Sequence, residues 1–295
     1  MVQPIFGSLK NLLVCTDGSE YSEGAIREAI RLAKTTGATL TALSVIDFNP
    51  EFEALAPDLV DKMEKDIRKH LTLVRERAAV ESVKMQAFTM LSDAPYMGIA
   101  KEAEKSGADL IIMGRRGRTG LKRLLMGSVT KRVIGHSPCS VLVVPRDARI
   151  DCKKILCGTD GSVYSNAAAA EAVMIAKRCE AELIFISVVH AETASPLDIV
   201  HSQMNRGLIA ENELKLAESG LKAAKGYAEK EGIMSEGLVL AGRPYEVIVN
   251  SAREKGSDLI VVGSHGRTGV DRLLMGSVTE RVVGTAECAV LVVKA

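Results

Sequence analysis

The chain has 295 residues, of which 47% are hydrophobic and 25% are charged, a composition typical of a globular domain protein. Its formal net charge of +1 gives no global attraction to nucleic acid or acidic membranes, and 3% aromatic residues leave few stacking platforms for nucleic acid bases. No apolar run approaches the ~20 residues of a membrane helix, and the N-terminus lacks a signal-peptide pattern. We therefore expect a cytoplasmic protein without membrane insertion and without a nucleic-acid partner.

Taken in chain order, the first half alternates between short apolar runs and segments with helical periodicity. The run NLLVCT predicts a first strand, and a helix follows from Ser22 to a stop at Gly37. The later predicted elements are the strand TLTALSVI, a helix over about 59–80, the strand VKMQAFTML, the helix PYMGIAKEAEKSG, the strand DLIIMG, a short helix from Ser128 and the strand SVLVVP. The second half repeats the strands as KKILCGT, AELIFISVV, SEGLVLAG, DLIVVG and AVLVV.

The two halves are copies of one another. Residues 109–144 and 258–293 are identical at 24 of 36 positions, at an offset of 149. An earlier pair, LLVCTDGSEYS from Leu12 and ILCGTDGSVYS from Ile155, matches at an offset of 143, which implies about six extra residues in copy two after its second strand. The polar segment PRDARIDCKK joins the copies. We predict two tandem domains, residues 1–147 and 151–295.

The strands show no polar alternation and are separated by helices, which indicates a parallel sheet covered on both faces. Each copy is therefore predicted to be a doubly wound α/β domain with a five-stranded parallel sheet flanked by helices. In such sheets ligands bind beyond the carboxyl ends of the strands, where the strand order reverses. The repeated loop after each fourth strand lies at that edge.

That loop contains three spaced glycines and a serine that opens a helix. Copy one has Gly114-x2-Gly117-x9-Gly127-Ser128, and copy two has Gly263-x2-Gly266-x9-Gly276-Ser277. Glycine permits close approach of the backbone to a ligand, and a helix N-terminus suits phosphate. Ser128 and Thr130, like Ser277 and Thr279, could add hydroxyl donors. Turn formation alone is the alternative, and the spacing matches neither GxxxxGK[ST] nor GxGxxG.

The pattern G-x2-G-x9-G-[ST] after a fourth strand, an Asp closing strand one and the terminal VLVV strand resemble the universal stress protein family over nearly the whole chain, in two copies. The resemblance implies a five-stranded α/β domain that binds ATP or another adenine nucleotide, which Mg²⁺ could accompany. It places backbone near Val45 or Val188 at adenine. The residues implied for the first site are Thr16, Asp17, Val45, Gly114, Gly117, Arg118, Gly127, Ser128, Val129 and Thr130. Those implied for the second site are Thr159, Asp160, Val188, Gly263, Gly266, Arg267, Gly276, Ser277, Val278 and Thr279.

Several residues allow two interpretations. Asp17 and Asp160, each in TDGS, could contact ribose or a phosphate-bound Mg²⁺, or could cap the first helix as turn formers. The basic loop of copy one contains Lys122 and Lys131, where copy two has Asp271 and Glu280, so site one is expected to hold phosphate more tightly. The cysteines and histidines show no metal-ligand spacing, and buried, reduced thiols are expected.

Copy one departs from the family pattern before its third helix. Copy two has Gly242 ahead of Pro244, whereas copy one has Asp93 at the corresponding position. An Asp tolerates turn backbone better than most residues, so the fold should survive. Whether the rim of the pocket keeps its shape is a separate question for the structure.

The favoured function is a nucleotide-dependent sensor or regulator that acts through partners. An adenylating or ATP-hydrolysing enzyme is the second hypothesis, although the chain has no SGGxDS loop after strand one and no argued catalytic set, so hydrolysis should be slow at most. A nucleotide-free interaction scaffold is the third. We also predict pseudo-twofold pairing of the domains through their last strands, Ser140–Val144 and Ala289–Val293, which would otherwise be exposed apolar edges. Further association into a homo-oligomer is a weaker expectation.

Overall fold

A computed structural model of the chain describes residues 9–47, 57–117, 126–190, 203–267 and 275–295. The elements of the first domain are β1 (Asn11–Cys15), α1 (Glu23–Thr36), β2 (Thr39–Asp47), α2 (Pro57–Val80), β3 (Met85–Ser92), α3 (Pro95–Lys105), β4 (Leu110–Gly114), α4 (Ser128–His136) and β5 (Ser140–Val144). Those of the second domain are β6 (Lys154–Gly158), α5 (Val163–Cys179), β7 (Glu182–His190), α6 (Gln203–Lys230), β8 (Ser235–Gly242), α7 (Pro244–Lys255), β9 (Leu259–Gly263), α8 (Ser277–Thr285) and β10 (Ala289–Val293).

Local sequence signals set the helix ends. Helix α1 ends where Gly37 adopts a left-handed φ of 73° and donates its N–H to the carbonyl of Ala33. Helices α3 and α7 each begin at a proline, whose fixed φ suits the first helical position. The hydroxyl of Ser162 caps α5 by accepting the N–H of Ser165. The predicted α/β order is confirmed throughout the described part of the chain.

The strands form one continuous ten-stranded sheet in the order β3-β2-β1-β4-β5-β10-β9-β6-β7-β8. All neighbours within a domain are parallel, and the order reverses between β1 and β4 and again between β6 and β9. The predicted pairing of the last strands is present: β5 and β10 pair antiparallel, with Leu142 opposite Leu291. Two five-stranded sheets thus become one sheet with a pseudo-twofold axis at the seam.

Both faces of this sheet are covered by a core that runs through both domains. Along β1, Leu12 and Val14 point to the core beneath α1, α2, α5 and α6, whereas Leu13 and Cys15 point to the core beneath α3, α4, α7 and α8. The alternation follows the two-residue period of a strand. The antiparallel pairing of β5 with β10 places equivalent faces of the two five-stranded sheets on the same side of the joint sheet. Each of the two cores therefore continues across the domain boundary.

Polar contacts between the domains lie beside this seam. Lys131 of α4 pairs with Glu280 of α8 at 2.6 Å, and these residues occupy the same position in the two copies. The Arg115 guanidinium donates to the carbonyl of Ala286 at 2.6 Å, at the end of α8. If both copies had lysine at this position, two like charges would meet at the axis. Because copy two has Glu280 where copy one has Lys131, the contact is an ion pair instead.

The difference in length between the copies is distributed over two places. The offset grows from 143 at β2 and β7 to 150 at β3 and β8, so seven residues are added between these strands, and it falls to 149 at Pro95 and Pro244. The turn before α3 is therefore one residue longer than the turn before α7. Gly242 has a φ of 147°, but Asp93 has no positive φ. The longer turn removes the need for glycine in copy one.

The cysteines are less uniformly buried than the sequence predicts. The described thiols are all unbridged: Cys15 and Cys157 are buried, Cys139, Cys152 and Cys288 are half-buried, and Cys179 is exposed. Burial raises the pKa of Cys139 to about 11 and that of Cys288 to about 12. The expectation of buried thiols is wrong for Cys179, because this residue ends α5 at the surface.

Candidate functional site

A cavity of about 360 Å³ opens at the carboxyl ends of β1 and β4, where the strand order of the first domain reverses. This is the place where doubly wound sheets bind ligands, and the volume is in the range of small-molecule sites. The residues that line the cavity are Cys15, Thr16, Asp17, Ser22, Leu43, Ser44, Val45, Ile46, Asp47, Met63, Ile67, Pro95, Ile99, Met113, Gly114, Arg116, Ser128, Val129 and Thr130. Most of the residues predicted for site one are brought together here, while Arg118 lies outside the described residues.

A buried hydroxyl network holds the end of β1. The hydroxyl of Ser22 donates to the carbonyl of Ser19, so the hydroxyl of Thr16 donates to Ser22 Oγ at 2.8 Å. Thr16 Oγ1 then accepts from the N–H of Gly18 and lies 3.0 Å from Nε2 of His70 on α2. Thr16 therefore ties the strand end to the helix that forms one wall of the cavity.

The two predicted aspartates are turn formers at the edge of their sites. Oδ1 of Asp17 accepts the backbone N–H of Ser19, and Oδ1 of Asp160 accepts that of Ser162. Burial acts to raise the pKa of Asp160, but hydrogen bonds from Ser162, from Ser165 and from the N–H of Arg267 outweigh it and hold this pKa below its usual value. Oδ2 of each aspartate lies against the second glycine of its loop.

The first glycine of each loop is required by the packing of the backbone, and the second packs closely on the side chain of the aspartate. A Cβ on Gly114 would lie 2.5 Å from the carbonyl oxygen of Tyr21, and one on Gly117 would lie 2.7 Å from Oδ2 of Asp17. Gly263 and Gly266 meet Tyr164 and Asp160 in the same way, at 2.7 and 2.8 Å. These glycines let the loop close against the end of the first strand, whether or not a ligand is bound.

The third glycine of copy one has no such explanation. Gly127 has a φ of −68°, and a Cβ there would be 3.5 Å from its nearest neighbour, which is ordinary contact. Gly276 has a φ of −59°, but a Cβ there would lie 3.3 Å from the backbone Cα of His265, which is tighter than ordinary contact, so packing also favours glycine in copy two. Each precedes a helix whose first N–H groups have no intrahelical acceptor. Space beside these N–H groups is what a bound anion would need.

The threonines of the loop have a structural role that the sequence did not reveal. The buried hydroxyl of Thr130 donates to the carbonyl of Gly114 at 3.0 Å, and that of Thr279 donates to the carbonyl of Gly263 at 2.8 Å. Their hydroxyl protons fasten each short helix to the end of its strand. The expectation that both threonines donate to phosphate does not fit these bonds. The exposed Ser128 and Ser277 keep their hydroxyls available.

Two cavity residues were not in the predicted site: Ser44 was missed, and Arg116 was noted only as part of the basic loop of copy one. Ser44 is 1% exposed, and its Oγ has no hydrogen-bond partner among the described residues. The Nε of Arg116 is also buried and has no partner in the described part of the chain. A buried polar atom without a partner is unfavourable unless a ligand or water satisfies it. Ser44 adjoins the predicted Val45, and Arg116 lies between the predicted Gly114 and Gly117. Their nearness in sequence to predicted site residues was the signal that could have identified them.

The second domain repeats the backbone contacts that surround the site of the first domain. Thr159 donates its N–H to Ile186 at 2.8 Å, as Thr16 does to Leu43, and the N–H of Arg267 bonds to Oδ2 of Asp160 at 2.9 Å. Val188 lies at the end of β7, and Ser277 and Val278 are exposed at the start of α8. The loop that carries Gly263, Gly266 and Arg267 thus closes on Asp160 at the second point of strand reversal.

Two further findings concern metal binding and membrane insertion. No group of three or more His, Cys, Asp or Glu side chains within the described ranges is arranged to hold a metal ion. No helix in the described part of the chain is long and apolar enough to cross a membrane.

These features define a class: a tandem, doubly wound α/β protein with a helix N-terminus aimed at the point of strand reversal in each domain. Comparison with known proteins gives the family. The profile of the Universal stress protein family matches residues 8–145 and 152–294, and the chain belongs to this family, with one family domain in each half.

The chain is similar to universal stress proteins at both half and full length. Universal stress protein MJ0531 of Methanocaldococcus jannaschii is 42% identical over 142 residues, which cover 48% of this chain and 82% of that protein. Universal stress protein Slr1230 of Synechocystis sp. is 25% identical and is covered to 99%, with 96% of this chain aligned. The crystal structure of a universal stress protein from Archaeoglobus fulgidus is 21% identical, with a TM-score of 0.70 and 99% of each chain covered, which shows the tandem fold.

Proposed function

We propose that the protein binds an adenine nucleotide at the carboxyl edge of each domain and acts as a nucleotide-dependent regulator through its partners or its own assembly. The observation that carries the proposal is the start of α4. Gly127 is explained neither by its backbone conformation nor by packing, and the helix that follows opens onto a cavity at the strand reversal.

The phosphate end of the ligand would lie at this helix start. Ser128 and Val129 line the cavity, and their N–H groups precede the first intrahelical bond, which Lys131 donates to Gly127. The partial positive charge of the helix N-terminus and the guanidinium of Arg116 both favour an anion. Ser128 would add its hydroxyl.

The base would lie against the end of β2. Strand β1 pairs with β2 only through Leu43, whereas β2 continues to Asp47 beside β3. Beyond Leu43 one edge of β2 is therefore not used by β1, and its backbone donors and acceptors suit the polar edge of a purine. Val45 supplies apolar contact there, and the unsatisfied Oγ of Ser44 offers a further hydrogen bond.

The residues present also fit a magnesium ion that arrives with the nucleotide. Mg²⁺ is usually held by one or two carboxylates together with substrate phosphates. Asp17 lies on the cavity wall and would be the protein ligand in site one, with Asp160 in the same role in site two. Such an ion would neutralise phosphate charge and orient the phosphate chain.

We propose binding rather than rapid turnover. Phosphoryl transfer needs a positioned nucleophile as well as stabilisation of charge. Arg116 could stabilise charge, but Oδ1 of Asp17 is committed to the Ser19 turn and Oδ2 is the oxygen that would bind Mg²⁺, so this carboxylate is not available to position a nucleophile. Turnover should lie well below ~1 per second, the low end of the usual enzymatic range. A faster rate that is lost with the glycine loops would favour the enzyme hypothesis.

Two measurements test the proposal. Mass spectrometry of ligand extracted from gently purified protein should find adenine nucleotides. Isothermal titration of ligand-depleted protein with ATP should then find two sites per chain. Absence of binding at millimolar ATP, with and without Mg²⁺, would leave the nucleotide-free scaffold as the better account.

A further inference from the structure

The two sites share the same glycine frame but differ at the residues that face the ligand space. Copy one has Arg116 where copy two has His265, and Met63 of α2 lies where α6 has Glu213. The second equivalence follows from the offset of 150, which also relates Glu81 to Glu231; these residues pair with Lys34 and Lys177, which are related by the offset of 143. These differences change the charge that a phosphate chain would meet.

In site one the cation is available to a ligand. Arg115 is engaged across the domain seam by the carbonyl of Ala286, whereas Arg116 lines the cavity with its Nε buried and without a partner in the described ranges. A guanidinium whose Nε is buried and unsatisfied is stabilised by an anion that it can bind through two N–H groups. The β- and γ-phosphates of a nucleotide provide such oxygens.

In site two the corresponding groups are already engaged. His265 is 6% exposed, its Nδ1 lies 3.0 Å from Ser264 Oγ, and its ring packs on Tyr164 with 4.9 Å between ring centroids. The guanidinium of Arg267, next to the second loop glycine, pairs with Glu213 of α6 at 3.3 Å. A phosphate chain would have to compete with this carboxylate for the arginine.

The wall helix also lies closer in site two. At the position of His70, which bonds to Thr16, copy two has Gly220, and a Cβ there would lie 2.8 Å from the backbone N of Gly161. Helix α6 thus packs directly on the loop after β6, whereas α2 is held off its loop by a side chain. Site two has less room beside its aspartate.

We propose that the two sites select different nucleotides: site one discriminates by phosphate number through Arg116 and prefers nucleoside triphosphates, whereas site two binds mono-, di- and triphosphates about equally. This inference rests on the proposed function, because it concerns the same sites. Arg116 is the specificity-determining residue, and the pair of Arg267 and Glu213 makes the second site indifferent to phosphate number.

The test is an exchange of residues between the copies. Titrations with ATP, ADP and AMP are made on the full chain, on Arg116→His and on His265→Arg. Arg116→His introduces the residue that copy two tolerates at this position. Charge-assisted hydrogen bonds of this kind change affinity by about tenfold to a hundredfold. The ratio of AMP to ATP dissociation constants at the tighter site should be of that order and should fall towards one in Arg116→His.

Two outcomes separate this inference from the proposal on which it rests. If no adenine nucleotide binds the parent protein, the proposed function itself fails. If nucleotides bind but the ratio is the same at both sites, or is unchanged in Arg116→His with the melting temperature of the parent, only the selectivity is overturned. His265→Arg should leave the phosphate preference of site one unaltered, and a change there would also contradict the assignment.

Discussion

The first domain and the second domain of this chain are built on one sequence pattern, yet they differ where a ligand would be held. The elements that stay the same are those that the backbone requires. Gly114 and Gly117 approach Tyr21 and Asp17 too closely for a side chain, and their counterparts in copy two do the same. The elements that change lie on the wall helix and between the glycines, where several side chains fit. Duplication thus preserves the frame and leaves the specificity of each site free to diverge.

The largest effect on stability is expected at the seam between the two domains. Leu142 and Leu291 are 1% and 0% exposed and face each other across β5 and β10. Leu142→Ala and Leu291→Ala should each lower the free energy of unfolding by about 2–5 kcal/mol, because each leaves a cavity in the shared core. Denaturant unfolding measures both losses. Clearly unequal losses would show that the seam is not packed symmetrically.

The next effect separates the two sites by ligand. Gly127→Val and Gly276→Val should each remove one site, because the side chain occupies the space beside the helix N-terminus. Loss of two charge-assisted hydrogen bonds, each worth about 1.5–3 kcal/mol, weakens binding at least a hundredfold. Calorimetry should show two sites in the parent, one in each single variant and none in the double variant.

The control for this experiment is the unfolding of the ligand-free variants, which must match that of the parent. Gly226→Ala, a glycine substitution on α6 outside the loops, serves as the control variant with both sites intact, and it is exempt from this match because a small stabilisation is expected for it. Two sites retained in the double valine variant would mean that the third glycine only shapes a turn.

A smaller effect tests the close approach of α6 in copy two. Gly220→Ala places a Cβ 2.8 Å from the backbone N of Gly161, so the helix or the loop must shift. Overpacking of this kind lowers stability by about 1–3 kcal/mol, and thermal unfolding would detect it. A variant as stable as the parent would indicate that α6 is free to move away, and that the narrower second site is not fixed by packing.

The smallest effect is an increase in stability, which we expect from a substitution on the same helix. Gly226 lies inside α6 and has no positive φ, and a Cβ at this position would meet nothing within 4 Å, whereas copy one has Glu76 at the equivalent place. Gly226→Ala should stabilise the protein by about 0.5–1 kcal/mol, because alanine loses less backbone entropy in a helix. A decrease in melting temperature would show that this part of α6 is not a regular helix in solution.

The sequence by itself determined the fold class, the duplication and the position of both glycine loops. Uninterrupted apolar runs such as DLIIMG, set between helical segments, are typical of strands buried on both faces, and glycines at fixed spacing mark the loops that must pass close to the strand ends. These are local properties of the chain, so periodicity and turn chemistry reveal them. The long helix before β3 and the helix start at Ser128 follow from the same signals.

Tertiary structure alone decided which side chains meet. Several decisive contacts join segments that are distant in sequence. Thr130 donates to Gly114, and Arg115 reaches Ala286 in the other domain while Arg116 faces the cavity. Gly220 likewise takes the place of His70 on the helix that packs beside the site. Adjacent arginines in one loop are equivalent in sequence, and only the packed backbone directs one to the seam and the other to the ligand space. The physical reason is that such contacts are fixed by the three-dimensional register of helices on the sheet, which hydrophobic periodicity does not encode.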